Sequence, residues 1–178
     1  MKFAADPTIN PSSMKHVFFL SLVFLSGIVV EANPGSRVTE KPVPAVSTVS
    51  VDYADMANDV LKYVNEYRRK KGLSPLVMNN VMSAEALKHS QNMASRRTSF
   101  GHNGFDGRSN RISSAISGIS EIGENVSMGS TSAKEVVDNW LRSAVHRENI
   151  EGRYKITGIG IAADKRGILY FTQIFAMN

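Results

Sequence analysis

The sequence predicts an α+β domain, and three observations carry that expectation. Apolar residues recur at steps of three and four, at Met56, Val60, Val64 and Tyr67, which is the period of an amphipathic helix. Ser132 followed three residues later by Glu135 forms a capping box just ahead of Val136, Val137, Trp140 and Leu141, so a further helix starts there. The chain then closes on two β-rich runs, ITGIGIAA and ILYFTQIF, which flank DKRG in the manner of an antiparallel hairpin. With 178 residues and 42% apolar content, the chain can bury one core, and one globular domain is expected over residues 52–178.

Ahead of that domain, Lys15 and His16 precede an unbroken apolar run over residues 17–30, and Glu31, Ala32, Asn33 and Pro34 follow. The run is shorter than the roughly 18–20 residues of a spanning helix, and Val30 and Ala32 are small residues of the kind read around a cleavage site. Residues 1–32 therefore read as a secretory signal peptide, with Met14 a more ordinary start than Met1. Residues 33–51 carry spaced prolines and small polar residues without helical period, the composition of an extended linker. The expected product is secreted and extracellular, with no stable membrane span after cleavage. It has no cysteine, so its stability rests on the core, and thiolate chemistry and cysteine metal sites are excluded.

Within the domain, the first helix runs to Gly72 and places Asn65 and Arg68 one turn apart, either as solvated polar residues or in a structural role. Pro75 stops any continuation, and Asn80 or Ser83 caps a second helix bearing Val81, Ala84, Leu87, Ser90, Gln91 and Ala94. His89 on this helix has no second ligand type one turn away and reads as a surface or packing residue. The loop SFGHNGFDGR sets Gly101, Gly104 and Gly107 around His102 and Asp106, so the backbone turns sharply and holds a side chain toward a pocket. A short helix from Arg108 to about Ile116 leads into the glycine- and serine-rich GISEIGENVSMG. Ser143 and His146 share a face if the helix opened at Ser132 persists. Arg108 and Arg147 are expected to anchor carboxylates such as Asp106 or Glu148.

The formal charge of +5 comes from short clusters such as Arg68 to Lys71, which complement a helix C-terminus. Dispersed basic residues and aromatics at apolar positions disfavour nucleic-acid binding. Asn125-Val126-Ser127 is a glycosylation sequon.

The joint pattern of Asn65 and Arg68 in the first helix, HN-x-x-x-x-R from His102, GEN at residues 123–125, W-x-x-S-x-x-HR-x-NI from Trp140, and the closing TGIG and YFTQIF resembles the CAP superfamily of SCP-like extracellular proteins. The likeness spans residue 52 to the end and is nearest to the cysteine-free branch with bacterial relatives. It implies an α-β-α sandwich with an antiparallel sheet between helices, and a central cleft carrying two histidines and two acidic residues that can bind a divalent metal, often zinc. His102, Glu124 and His146 take three of the four places; the fourth falls on Ser143, and the family's Asn125 packs inside, against glycan attachment.

Two imidazoles and one carboxylate are good zinc ligands and a hydroxyl is a poor one, so a metal here would rest on His102, Glu124 and His146. A metal-dependent hydrolase is one function the resemblance implies. A sterol- or lipid-binding module is a second, and an extracellular binding or effector protein with a host or microbial partner is a third. A Ser143–His146–Glu124 triad is disfavoured, because no glycine flanks Ser143 to form a nucleophile turn. The favoured expectation is a monomeric, secreted binding or effector protein without established catalysis. Mass spectrometry of the secreted protein should find its N-terminus near Asn33; recovery of intact Met1 from the cytosol would overturn the signal peptide.

Overall fold

The computed structural model describes residues 53–178. The signal peptide and linker expected before them lie outside the described residues. Five helices and four strands follow in the order α1 (Ala54–Lys70), β1 (Val77–Met78), α2 (Asn80–Ala94), α3 (Phe105–Ala115), β2 (Glu121–Met128), α4 (Ala133–Arg142), α5 (Ala144–Glu151), β3 (Ile156–Ala163) and β4 (Leu169–Met177). The sheet order is β1-β3-β4-β2, antiparallel except for the short parallel pairing of β1 with β3. This is the expected α+β architecture, with helices on both faces of the sheet.

Alternation along the central strands builds the two cores. Ile159, Ile161, Phe171 and Phe175 pack with Val60 and Val64 of α1 and with Val136, Val137 and Trp140 of α4. Ile174 and Ala176, on the opposite face of β4, pack with Met82 and Ala86 of α2 and Ile112 of α3. Trp140 is buried as expected, and its indole N–H donates to Val126 O at 3.3 Å.

The TGIG string acquires a clear reason in this arrangement. Gly158 and Gly160 lie under α2, and a Cβ on Gly160 would fall on the backbone of Ala86 and Leu87, while one on Gly158 would strike Met82 and Ser83. Absence of both side chains lets the helix backbone rest directly on β3. Ser90 completes the contact, donating to Gly160 O at 2.9 Å and meeting Thr172 Oγ1 at 2.8 Å.

Asn65 and Arg68 are structural. Asn65 exchanges two hydrogen bonds with the backbone of Leu76, 2.9 and 2.8 Å long, and so sets the start of β1. Arg68 is 1% exposed and donates to the carbonyls of Ser74, Ile150, Gly152 and Tyr154. A cation placed on the terminal carbonyls of α5 also complements that helix's dipole.

Several boundaries differ from the sequence reading. Asn79 caps α2, its side chain accepting from Met82 N at 3.1 Å, so neither Asn80 nor Ser83 does. α1 ends at Lys70, two residues before Gly72, whose φ of +70 turns the chain away. α3 begins at Phe105, because Gly104 adopts the left-handed φ of +77 at its N-cap and frees the next residue to start a turn. Part of the stretch read as a glycine- and serine-rich connection is strand β2. The capping box is half formed: Glu135 N donates to Ser132 Oγ, but the Glu135 carboxylate binds Thr131 instead.

Replacing Gly160 by alanine should destabilise the domain by about 3 kcal/mol, the upper end of an overpacking penalty, because the obstacle is helix backbone. Chemical denaturation would measure the loss; a change within about 0.5 kcal/mol would mean that α2 can lift without cost.

Candidate functional site

Glu124 lies in β2, the edge strand, opposite Ile174 of β4, and its side chain is 0% exposed. Arg108 reaches it from the first turn of α3, donating from Nε to Oε2 at 2.9 Å and from Nη2 to Oε1 at 2.7 Å. This two-pronged pairing is the geometry in which arginine holds a carboxylate most firmly. The third guanidinium nitrogen, Nη1, donates to Asn103 O at 2.9 Å and thereby fixes the loop. His102 Nδ1 stands 2.9 Å from Glu124 Oε1. Because the ionised carboxylate only accepts, Nδ1 carries the proton in that contact.

Burial raises the Glu124 pKa, yet the hydrogen bonds from His102 and Arg108 outweigh it and hold the carboxyl below its ordinary range. His89 also belongs to this neighbourhood. It is a buried packing residue, as expected, with Nε2 2.8 Å from Gly101 O, and it lies within electrostatic reach of Glu124 and Arg108. Burial pushes its pKa down, which keeps the ring neutral.

His146 stands on α5 and is buried. Its backbone carbonyl accepts from Asn125 Nδ2 at 3.0 Å, and Asn149, one turn on, donates to Asn125 Oδ1 at 2.8 Å and to Glu124 O at 3.2 Å. The GEN string thus splits its work: Glu124 faces Arg108 and His102, and Asn125 ties β2 to α5. Gly123 is required beside them, since a Cβ there would lie 2.7 Å from Tyr154 Oη and 2.9 Å from Asn149 Oδ1. With Asn125 0% exposed and its amide engaged, the folded domain cannot carry a glycan at the sequon.

Ser143 does not share a helix face with His146. It is the joint between α4 and α5, with φ −83 and ψ 122, half-buried, its amide donating to Asn139 O and its carbonyl accepting from Arg147 N. Sequence reading missed Arg108 as the partner of Glu124, naming Asp106 and Glu148 instead. The available signal was that a glutamate set among core residues demands a cation, and Arg108 is the arginine that closes the HN-x-x-x-x-R string. Arg147 likewise binds a carbonyl, that of Leu141, at 2.9 Å.

The donor set can be tested against a divalent metal. Both Glu124 oxygens accept from Arg108, and one of them also meets His102. Among the described residues no three His, Asp or Glu side chains form a group able to hold a metal ion. As arranged, these residues do not fit a resident metal, because a cation already occupies the carboxylate.

The model of the cysteine-rich secretory protein family, CAP, matches residues 61–175. The chain belongs to this family. YkwD of Bacillus subtilis (strain 168) is 32% identical over 165 residues, which are 80% of this chain and 62% of that protein, so the chain spans less than two thirds of its relative's length. Among solved structures, an outer surface protein of Borrelia burgdorferi superposes with TM-score 0.61 at 20% identity, over 72% of this chain and 96% of its own. An extracellular SCP-domain protein of Bacillus anthracis str. Ames gives 0.58 at 20% identity, over 70% and 41%. These likenesses establish the CAP/SCP fold, and this CAP domain has no cysteine.

Acid should unfold the CAP domain in two stages. The folded-state pKa of His89 lies below its ordinary 6.5 and that of Glu124 below 4.5, so both groups stabilise at higher pH. Stability should fall as pH drops below 6.5, and again below 4.5 as Glu124 protonates. Arg108→Met should cost about 3–5 kcal/mol at pH 7, since it strands a buried carboxylate. Thermal melts across pH would show this, and a flat profile for the wild type would count against it.

Proposed function

We propose that this CAP domain is a secreted extracellular binding or effector module, and that its cleft is a structural centre and not a metal-dependent hydrolase. The observation that carries the reading is the engagement of both Glu124 oxygens. A hydrolytic base or metal ligand must offer a lone pair to water or to the ion, and Glu124, 0% exposed, already gives three of its roughly four acceptor sites to Arg108 and His102, with its charge met by the guanidinium. Ser143, placed at a helix joint with Glu124 bound elsewhere, lacks the relay that activates a serine. The leader-like residues 17–30 support export, as do the relatives described as extracellular or outer-surface proteins.

Zinc titration by calorimetry is the direct test, run on the mature protein and on the His102→Ala/His146→Ala double variant. Both should give the same small heats, and neither should hydrolyse a casein substrate. Stoichiometric zinc binding by the wild type that the double variant loses would restore the metal-site reading.

A further inference from the structure

β1 pairs with β3 only at Ile156 and Thr157. Beyond Thr157, no described strand flanks β3 on the side away from β4. Backbone register decides which groups face that side. Gly129 N donates to Leu169 O and Asp164 N to Ile168 O, which turns odd-numbered residues of β4 toward β2 and even-numbered residues of β3 toward β4. The N–H and C=O groups of Ile159, Ile161 and Ala163 therefore point away from β4, as Thr157 O does in accepting from Asn79 N; Ile159 and Ile161 lie at the floor of a hollow with 4% and 3% exposure, and Ala163 is exposed. Within the domain, Ile159 N makes a long 3.4 Å contact to Ser83 Oγ.

α2 runs beside this edge and forms the wall of a groove. Ala84 and Leu87, with Tyr53 and Ala57 of the α1 side and Ile159 and Ile161 below, enclose about 300 Å³. Continuing along the same helix stripe, Gln91 and Ser95 line a second hollow of about 570 Å³ with Arg96, Arg97, Ala163 and Lys165. The two hollows follow one stretch of chain, the end of β3 from Ile159 to Ala163, about 13 Å at the rise of a strand, and the start of the turn at Asp164 and Lys165. The first half is apolar, and Leu87 is 39% exposed there. The second is cationic: Arg96, Arg97 and Lys165 are exposed, and the carboxylate among them, Asp164, is paired with Arg166 at 3.0 Å.

We propose that this groove docks an extended peptide as a fifth strand on β3, with apolar side chains between α1 and α2 and carboxylates against Arg96, Arg97 and Lys165. The proposal rests on the reading of the domain as a binding module and supplies the class of its partner. Main-chain pairing to the open edge provides attachment, and the apolar-to-basic gradient provides register and direction. An acyl chain would fill the apolar half but leave the edge N–H and C=O groups without partners, a loss that a peptide backbone avoids.

The test is amide NMR of the protein titrated with the acetylated, amidated peptide Val-Thr-Val-Thr-Val-Glu-Glu. Shifts should be confined to residues 159–165 and the facing side of α2. Arg97→Glu should weaken binding by about tenfold or more, equivalent to losing one good ionic contact. Leu87→Glu should abolish binding, and both side chains are exposed, so melting curves should confirm intact folds. Methylation of alternate peptide nitrogens should also abolish it. The proposal is overturned by an absence of shifts, by equal binding of the methylated peptide, by palmitate shifting the same amides while the peptide does not, or by self-association of the protein along this edge. Cleavage of the peptide that is lost in His102→Ala would instead overturn the non-catalytic reading, while the shifts would still decide the groove.

Discussion

Glu124 carries its charge with no solvent exposure, and such a carboxylate costs about several kcal/mol unless its oxygens are filled. Arg108 fills both, and in doing so joins α3 to β2; its remaining nitrogen holds Asn103, and His102 closes on the same oxygen. The loop, the helix start and the edge strand are thereby fixed relative to one another. The left-handed Gly104 makes this possible by starting α3 early enough for Arg108 to sit in its first turn. Two buried arginines thus do different work: Arg108 neutralises a charge, and Arg68 gathers four neutral carbonyls around the end of α5.

How much of this was legible depended on the range of the interactions. Val60 and Val64 announced α1 because helical period is local, and ITGIGIAA and ILYFTQIF announced β3 and β4 because both are dense in β-branched and aromatic residues. β2 was hidden, since Glu124 and Asn125 look polar and their burial is justified only by groups such as Arg108 and Asn149 brought in from elsewhere. β1 has two residues and exists because Asn65 and β3 hold it. The helix break at Ser143 has no glycine or proline to mark it.

The site shows the same division. The family pattern put His102, Glu124 and His146 in one cleft, and His102 Nδ1 and Glu124 Oε1 lie 2.9 Å apart. Yet the sequence offered Asp106 and Glu148 as partners of Arg108 by nearness, and the fold chose a carboxylate 2.7 Å away in space across the sheet edge. His89, read as packing, is that, but it also adds a neutral ring to the electrostatic surroundings of Glu124.

The strand order β1-β3-β4-β2 has a consequence for how the chain assembles. The two central strands are the last two in sequence, so α2, which packs chiefly on β3 and β4, lacks most of its surface until the final segment arrives. Contacts between α2 and β3 join residues some seventy positions apart, as in the Ser90–Gly160 bond. Such long loops must close before burial rewards them, which makes a slow, late-committing folder.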